Sequence, residues 1–189
     1  MSVNASQLRI VKYPAEVLRR KASPIAEITD EVREVAKRMI DLMYEAEGIG
    51  LAAPQVGLEW RMFVLDIPED EEGERSAETQ PMTATTGPMV FINPTVSGFS
   101  RDLVIYDEGC LSLPHITGEV RRPSICTVSA TRPDGESFTV QADGLLSRCI
   151  QHEFDHLDGT LIIDKFDPAT RRRVKPSLES LESASRVIR

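Results

Sequence analysis

The sequence predicts an α+β fold in which mixed or antiparallel β-sheets pack around a central helix. Two observations support this class. Short β-rich runs and two helical patterns come in unequal clusters, without the regular alternation of a doubly wound sheet. The 189 residues, of which 41% are hydrophobic, are enough for one domain with its own core. We therefore expect a single domain over residues 1–189.

The first helical pattern covers residues 29–48. Thr29 or Asp30 can cap its start, and Gly48 can end it. The following segment, GIGLAAPQVG (48–57), is too rich in glycine and proline for a helix or a central strand, so it is predicted to be a shaped loop. The helix assignment depends on apolar residues at i, i+3, i+4 and i+7 spacing, namely Val32, Val35, Ala36, Met39, Ile40, Met43 and Ala46.

Short buried strands are predicted at RMFVLDI (61–67) and MVFIN (89–93). The residues between them are acidic and polar and contain few large apolar side chains, which predicts a mobile surface excursion that contributes little to the core. Further along, SICTVSATRPDGESFTVQA (124–142) contains two β-rich runs around Pro133-Asp134-Gly135. Those turn residues predict a β-hairpin.

The second helix is predicted in GLLSRCIQHEFDHLDG (144–159), with Asp143 as its N-cap. It contains the H-E-x-x-H pattern. His152 and His156 lie four residues apart, so both imidazoles project from one helix face, and Glu153 can reach a water held between them. The pattern by itself is also compatible with two buried histidines that are hydrogen-bonded to backbone groups.

The third ligand of such a metal site has to come from upstream, because no histidine follows His156. Cys110 lies in EGCLSLP, directly after the strand-like run LVIYD, and one thiolate with two imidazoles forms a catalytic metal set that leaves a position for water. His115 is the competing candidate. Cys126 and Cys149 are expected to be small buried apolar residues.

Three motifs stand together in this chain: GIGLAAPQ (48–55), EGCLS (108–112) and QHEFDH (151–156). In this order and spacing they resemble the peptide deformylase family, whose members remove the N-formyl group from nascent bacterial polypeptides. The resemblance covers roughly residues 8–166. It implies a metal-dependent hydrolase whose substrates are N-formyl-Met peptides, with the core of the domain at about 8–166.

The resemblance also implies a role for each matching residue. Gln55 and the backbone N–H of Leu111 are expected to stabilise the oxyanion, while Gly50 and Glu108 match positions that support the site. Glu153 matches the general acid/base. The metal ligands implied are Cys110, His152 and His156, and the metal is expected to be one divalent ion, usually Fe²⁺, with Zn²⁺ or Ni²⁺ able to take its place.

The substrate side of the site is expected beside the same motifs. Glu108 and Gly109 belong to the motif next to the metal, and the methionine side chain needs an apolar pocket. Residues placed beside the motifs are the candidates for that pocket, namely Ile49, Leu145 and Cys149.

Charge is unevenly distributed along the chain, whose formal net charge is −8. An acidic insertion at about 67–88 carries six acidic residues against one arginine, and the tail that follows Phe166 (about 167–189) is basic. The tail is either a solvated helix or a contact for an anionic partner such as the ribosome. The overall charge argues against DNA binding.

A cytoplasmic location is expected from three cysteines that do not form a disulfide framework, an N-terminal segment without a signal-peptide pattern, and no bilayer-length apolar run. Two other functions use the same motif. A metallopeptidase would need a downstream His or carboxylate ligand. A structural zinc module would need a fourth protein ligand.

Overall fold

The computed structural model describes residues 3–70 and 74–187. The α+β prediction is confirmed: two antiparallel sheets enclose one central helix. The strands are β1 (Gly50–Ala52), β2 (Met62–Leu65), β3 (Met89–Ser97), β4 (Leu103–Cys110), β5 (Leu113–Pro123), β6 (Cys126–Thr131) and β7 (Ser137–Ala142). The helices are α1 (Asp30–Glu45), α2 (Gly144–Leu157), α3 (Ile162–Lys165) and α4 (Pro168–Val187), with 3₁₀ turns at Ala5–Gln7, Glu16–Arg19 and Ala53–Val56.

The larger sheet has five strands in the order β1-β2-β3-β6-β7, and β4 and β5 form a separate two-stranded ribbon. The predicted strands at 61–67 and 89–93 are β2 and β3, and the predicted hairpin at 124–142 is β6 and β7. The loop prediction for 48–57 is wrong at β1, which pairs with β2 from Gly50↔Leu65 to Ala52↔Phe63. A glycine-containing segment can join a sheet as an edge strand, because only one side of its backbone then needs a partner.

Both predicted helices are present. In α1 the apolar stripe is buried against β1 and β2, including Met39 and Met43 at 0% exposure. In α2 the Asp143 side chain accepts a hydrogen bond from Gly144 N, as an N-cap does. Gly159 follows the helix at a φ of 72°, which glycine adopts without strain. Because α2 contacts β1, β2, β3, β5, β6 and β7, its side chains reach both sheets.

The sequence analysis did not predict β5. Exposed and buried residues alternate along it from His115 to Arg122, and it forms a ladder with β4 from Leu103↔Pro123 to Gly109↔Thr117. The pattern is hard to see in the sequence because the strand contains two prolines, a glycine and several charged residues. One of the charged residues, Arg122, is even buried on the inner face. The ladder changes register between Gly109 and Cys110. This bulge turns the end of β4 towards α2.

The expectation that the acidic insertion contributes little to the core is wrong for its second half. Ala84 and Thr85 are 0% and 2% exposed. Met82 packs against the core, its N–H donates to Gln141 O, and its carbonyl accepts from Asp143 N at the start of α2. The mobility predicted for residues 71–73 concerns positions outside the described residues, as does the structure of residues 1, 2, 188 and 189.

The basic tail forms α4, which agrees with the helical interpretation of this segment. One of its faces packs on β5, since Val174 is 5% exposed and Leu178 and Leu181 contact the same cluster. The arginines at 171–173 point largely to solvent. Within the described residues, no helix combines the length and apolarity that a membrane crossing requires.

Candidate metal and catalytic site

Three side chains that could hold a metal ion meet where the end of β4 touches α2. Cys110, His152 and His156 each offer one ligand atom, and these atoms all lie within 4.8 Å of one another. Cys110 Sγ is 3.4 Å from His156 Nε2. The two histidines come from one helix face, and the bulge after Gly109 brings the cysteine to them. Among the described residues, His115 does not belong to this cluster.

The donor set fits a divalent metal. One thiolate and two imidazoles are a known catalytic set, and three protein ligands leave a fourth position free for water or substrate. Closed structural sites use four protein ligands instead. Cys126 and Cys149 are buried as predicted, but neither belongs to the cluster in the described part of the chain. The geometry therefore favours an open, catalytic type of site.

Glu108 holds the first histidine in place. Its carboxylate lies 3.0 Å from His152 Nδ1 and accepts hydrogen bonds from Arg122 Nε (2.6 Å), Arg122 Nη2 (2.8 Å) and Arg148 Nη1 (2.7 Å). Burial alone would raise the pKa of Glu108, but the hydrogen bonds and charges of Arg122 and His152 lower it well below its usual range. Glu108 is therefore a carboxylate, although it is only 6% exposed.

The charge network continues beyond Glu108. Arg122 Nη1 donates to Asp155 Oδ2 at 2.7 Å, and Lys165 Nζ lies 3.1 Å from the other oxygen of Asp155. Asp155 lies between the two histidines on α2. The network thus joins β4, β5 and α2 around the candidate metal site. The sequence analysis missed Arg122 and Arg148, because arginines on a strand and a helix give no local sign that they are buried together.

Glu153 is a buried carboxylate beside the candidate ligands, at 3% exposure. Its Oε2 atom has no hydrogen-bond partner among the residues that the structure describes. Burial raises the pKa of Glu153 to about 7, although the charges of His152 and Arg122 act in the opposite direction. A carboxyl group with this pKa can accept and release a proton near neutral pH.

Gly50 lies directly against Glu153. A Cβ atom at Gly50 would be 2.5 Å from Glu153 Oε1 and 2.8 Å from Cys149 Sγ, which is closer than real Cβ contacts. A side chain at this position would therefore have to displace Glu153 or Cys149. Cys149 also donates a hydrogen bond from Sγ to Ile49 O at 3.5 Å, so β1 and α2 are in close contact at the site.

Gln55 approaches the site from the 3₁₀ turn that follows β1. Its Oε1 accepts from Ala52 N at 2.8 Å, which orients the amide so that Nε2 faces Cys110 Sγ (3.5 Å) and Ser112 Oγ (3.4 Å). The amide donor of Gln55 is thus aimed at the metal cluster, and it is buried, since the residue is 1% exposed.

Leu111 follows Cys110 at the same place. Its carbonyl accepts a hydrogen bond from Lys12 Nζ at 2.6 Å.

A cavity of about 650 Å³ opens beside these groups. The residues predicted for the substrate side all line it, namely Ile49, Glu108, Gly109, Leu145 and Cys149. Tyr106, His115 and Arg148 also line it and were not predicted for this role. Arg148 lies under the Tyr106 ring, 5.7 Å from its centroid, and donates to Val104 O and Val120 O.

Comparisons with known proteins agree on one family. A sequence model of the polypeptide deformylase family matches residues 7–172. The chain is 41% identical over 174 residues to a peptide deformylase of Acinetobacter baumannii, covering 92% of this chain and 91% of that protein. It is 46% identical over 151 residues to peptide deformylase 2 of Gloeobacter violaceus, covering 80% and 74%.

Solved structures give the same result. The fold superposes on a Plasmodium falciparum peptide deformylase with a TM-score of 0.82 at 37% identity, covering 95% of this chain and 98% of that one. A plant peptide deformylase gives a TM-score of 0.83 at 36% identity, covering 95% and 91%.

Proposed function

The chain belongs to the polypeptide deformylase family and is a metal-dependent hydrolase that removes the N-formyl group from nascent polypeptides, and we propose that Cys110, His152 and His156 hold its metal. One observation carries this assignment. The three ligand atoms lie within 4.8 Å of one another, next to the buried carboxylate of Glu153, whose Oε2 atom has no hydrogen-bond partner in the described part of the chain. We further propose that residues 1–189 form a single catalytic domain around this site.

The metal proposed is Fe²⁺, with Zn²⁺ or Ni²⁺ as alternatives that suit the same thiolate and imidazole donors. When bound, the metal polarises the formyl carbonyl and lowers the pKa of the attacking water. Cys110 contributes a negative charge that only its deprotonated form supplies. The carboxylate of Glu108, itself held by Arg122 and Arg148, accepts a hydrogen bond from Nδ1–H of His152, so that Nε2 is the ligand atom.

Glu153 moves the protons of the reaction. Its carboxylate takes a proton from the attacking water and later gives it to the departing amine. The pKa of about 7 supports both steps, because neither protonation state of the side chain is then strongly disfavoured at neutral pH. Because Gly50 has no side chain, the backbone of β1 approaches the Glu153 carboxylate closely and limits its movement.

Gln55 and Leu111 stabilise the negative charge that develops on the formyl oxygen. The Ala52 N–H holds Gln55 Oε1, so the Nε2 donor is oriented before the substrate arrives. The N–H of Leu111 follows Cys110 directly in the chain and supplies the second donor. Prearranged donors of this kind each contribute about 10²–10³ in turnover.

The substrate's methionine side chain enters the 650 Å³ cavity, against Ile49, Leu145 and Cys149. Gly109 is an exposed strand residue at the rim and offers its backbone to the peptide. The carboxylate of Glu108 is already taken by Arg122, Arg148 and His152, so Glu108 supports the substrate site through its backbone and through His152.

The proposed substrate also indicates where the enzyme works and which larger partners it meets. Formylated nascent chains emerge in the cytoplasm, which is where we place the enzyme. The exposed basic residues of α4, at 171–173, support contact with an anionic surface such as the ribosome. The net charge of −8 supports the absence of general DNA binding.

The ligand assignment is tested by measuring bound metal per chain after anaerobic purification. Cys110→Ser replaces a thiolate with a neutral hydroxyl and should lose most of the metal. Cys126→Ser is the matched control, because Cys126 is buried outside the cluster, and it should retain the wild-type metal content. Equal metal loss in the two variants would contradict the assignment.

The role of Glu153 is tested separately. Glu153→Ala should keep the metal and lose most of its turnover of a formyl-Met peptide, since Glu153 is not a ligand. Loss of the metal in this variant would show that the role is wrong.

A further inference from the structure

The chain segment at residues 11–13 contacts both residues that are proposed to stabilise the oxyanion. Val11 N donates a hydrogen bond to Gln55 O at 2.8 Å. The side chain of Lys12 donates from Nζ to Leu111 O at 2.6 Å. One short segment therefore holds the backbone at both of the proposed donors.

The two donors need such a connection, because they belong to different parts of the fold. Gln55 follows β1 of the five-stranded sheet, whereas Leu111 lies between β4 and β5 of the two-stranded ribbon. The Gln55 side chain reaches across to Ser112 Oγ, but at 3.4 Å this is a long hydrogen bond. A bound substrate would also compete for the same Nε2 donor. The spacing of the two donors therefore depends on what holds the backbone on each side.

Leu111 and Ser112 form the turn between β4 and β5. Backbone groups in a turn need partners outside the strand ladder. Tyr13 N is such a partner for Ser112 O at 2.9 Å, and Lys12 Nζ is the partner of Leu111 O. The Lys12 bond is charge-assisted, which makes it stronger than a neutral hydrogen bond. The C=O and N–H of Leu111 belong to two planar peptide units that share one Cα atom, so fixing the first limits the rotation of the second.

The segment that carries Lys12 is itself anchored. Tyr13 Oη donates to Glu182 Oε1 on α4 at 2.7 Å, and Val11 and Tyr13 pack against the apolar cluster that contains Ile116 of β5. The side chain of Lys12 is exposed and lines the cavity. It can therefore be replaced without disturbing the packing of its neighbours.

We propose that Lys12 is a positioning residue for deformylation, which holds the Leu111 N–H at the distance from Gln55 Nε2 that one developing oxyanion requires. The proposal rests on the roles of Gln55 and Leu111 in the proposed function. Only the transition state carries the negative charge that both donors share. The contribution of Lys12 should therefore be visible in kcat and not in KM.

The experiment measures kcat, KM and bound metal with a formyl-Met peptide whose C-terminus is amidated, so that Lys12 has no terminal carboxylate to bind. Lys12→Met should lower kcat about tenfold, which is less than the loss of about 10²–10³ that follows removal of a whole donor. Its KM and metal content should stay at the wild-type level. Lys12→Arg keeps a charged donor and should retain kcat within about threefold. Lys37→Met is the matched control, since Lys37 is an exposed lysine of α1 that lines a different surface groove.

A double variant tests whether Lys12 acts through the oxyanion. Gln55→Ala alone should lower kcat by about 10²–10³. Adding Lys12→Met to it should cost less than about threefold more, because one remaining donor has no spacing to a second donor that must be kept. A further loss of about tenfold in the double variant would mean that the two residues act independently, and the positioning role would be wrong.

The other outcomes separate this proposal from the proposed function. If Lys12→Met keeps the wild-type kcat while Gln55→Ala loses it, the positioning role is wrong and the proposed function stands. If Lys12→Met raises KM at constant kcat, Lys12 binds the substrate directly, and if it loses metal, the turn supports Cys110; each result overturns the positioning role. If Gln55→Ala itself keeps the wild-type kcat, the proposed role of Gln55 is wrong and that of Lys12 falls with it.

Discussion

Gly50 offers the sharpest test of how the fold positions the catalytic carboxylate. We predict that Gly50→Ala lowers kcat for a formyl-Met peptide by about 10²-fold while the metal content stays at the wild-type level. The φ of Gly50 lies outside the left-handed region, so alanine can adopt the backbone of β1. The effect should therefore come from the added methyl group and not from backbone strain.

The magnitude follows from the distances at this contact. The new Cβ would be 2.5 Å from Glu153 Oε1, whereas ordinary contacts begin at 3.4 Å, so the two atoms have to separate by about 0.9 Å. Cys149 Sγ at 2.8 Å and the buried surroundings of α2 prevent the methyl group from moving aside. Misplacement of a reacting group by about 1 Å typically costs about 10²-fold in rate.

The assay compares kcat, KM and bound metal for the wild type, Gly50→Ala and Gly48→Ala. Gly48 is the matched control from the same segment. Its new Cβ would meet Leu111 Cδ1 at 2.7 Å, which is the far end of a flexible side chain that can rotate away. We expect Gly48→Ala to lose less than about tenfold in kcat, because no catalytic carboxylate has to move.

Two results would refute this reasoning. If Gly50→Ala keeps kcat within a few-fold of the wild type, Glu153 does not depend on the close approach of β1. If Gly50→Ala loses its metal, the methyl group disturbs the ligands and not Glu153 alone.

Three further predictions concern the surroundings of the site. Glu108→Gln should weaken metal affinity by about 10–100-fold in a chelator competition, since it removes the charge that orients His152, while exposed Glu119→Gln on β5 should not. Thr85→Val should lower the free energy of unfolding by about 1–3 kcal/mol in urea, because Ile67 N loses its buried acceptor at 3.0 Å; exposed Thr79→Val is the control. N-acetyl-Met peptides should turn over at least about 10²-fold more slowly than formyl peptides, because an extra methyl group misplaces the carbonyl.

Each of these predictions has its own contrary outcome. Equal metal affinity in the Glu108 and Glu119 variants would remove the orienting role of Glu108. An unchanged urea midpoint in Thr85→Val would mean that the second half of the acidic insertion does not stabilise the fold. Comparable rates for the formyl and acetyl peptides would mean that the space beside Glu153 is larger than the Gly50 contact implies.

Local spacing was sufficient for the helical part of the site. His152, Glu153 and His156 could be predicted together, because positions on one helix are related by a fixed rotation that needs no other part of the chain. Both helices and the β6–β7 hairpin were predictable for the same reason: apolar periodicity, capping residues and turn residues act over a few positions.

The edge strand β1 and the burial of the second half of the acidic insertion could not be predicted from the sequence. The segment 48–57 reads as a loop, but β2 provides a partner for β1, 15 residues away at Gly50↔Leu65. Likewise Thr85 and Ala84 carry no sign of burial in an acidic segment, and only the packing of that segment against β7 and the start of α2 brings them inside.

The sequence by itself therefore determined the fold class, the two helices and the paired histidines, and three motifs in register indicated the family. Cys110 and Glu108 were also expected beside those histidines, but only the tertiary structure decided how these residues meet and that Arg122 and Arg148 join them. Cys110 reaches His156 across 46 positions, and Arg148 and His152 reach Glu108 across 40 and 44. Contacts over such separations leave no periodic trace in the chain, because they arise when β4, β5 and α2 pack and two buried arginines neutralise one buried carboxylate.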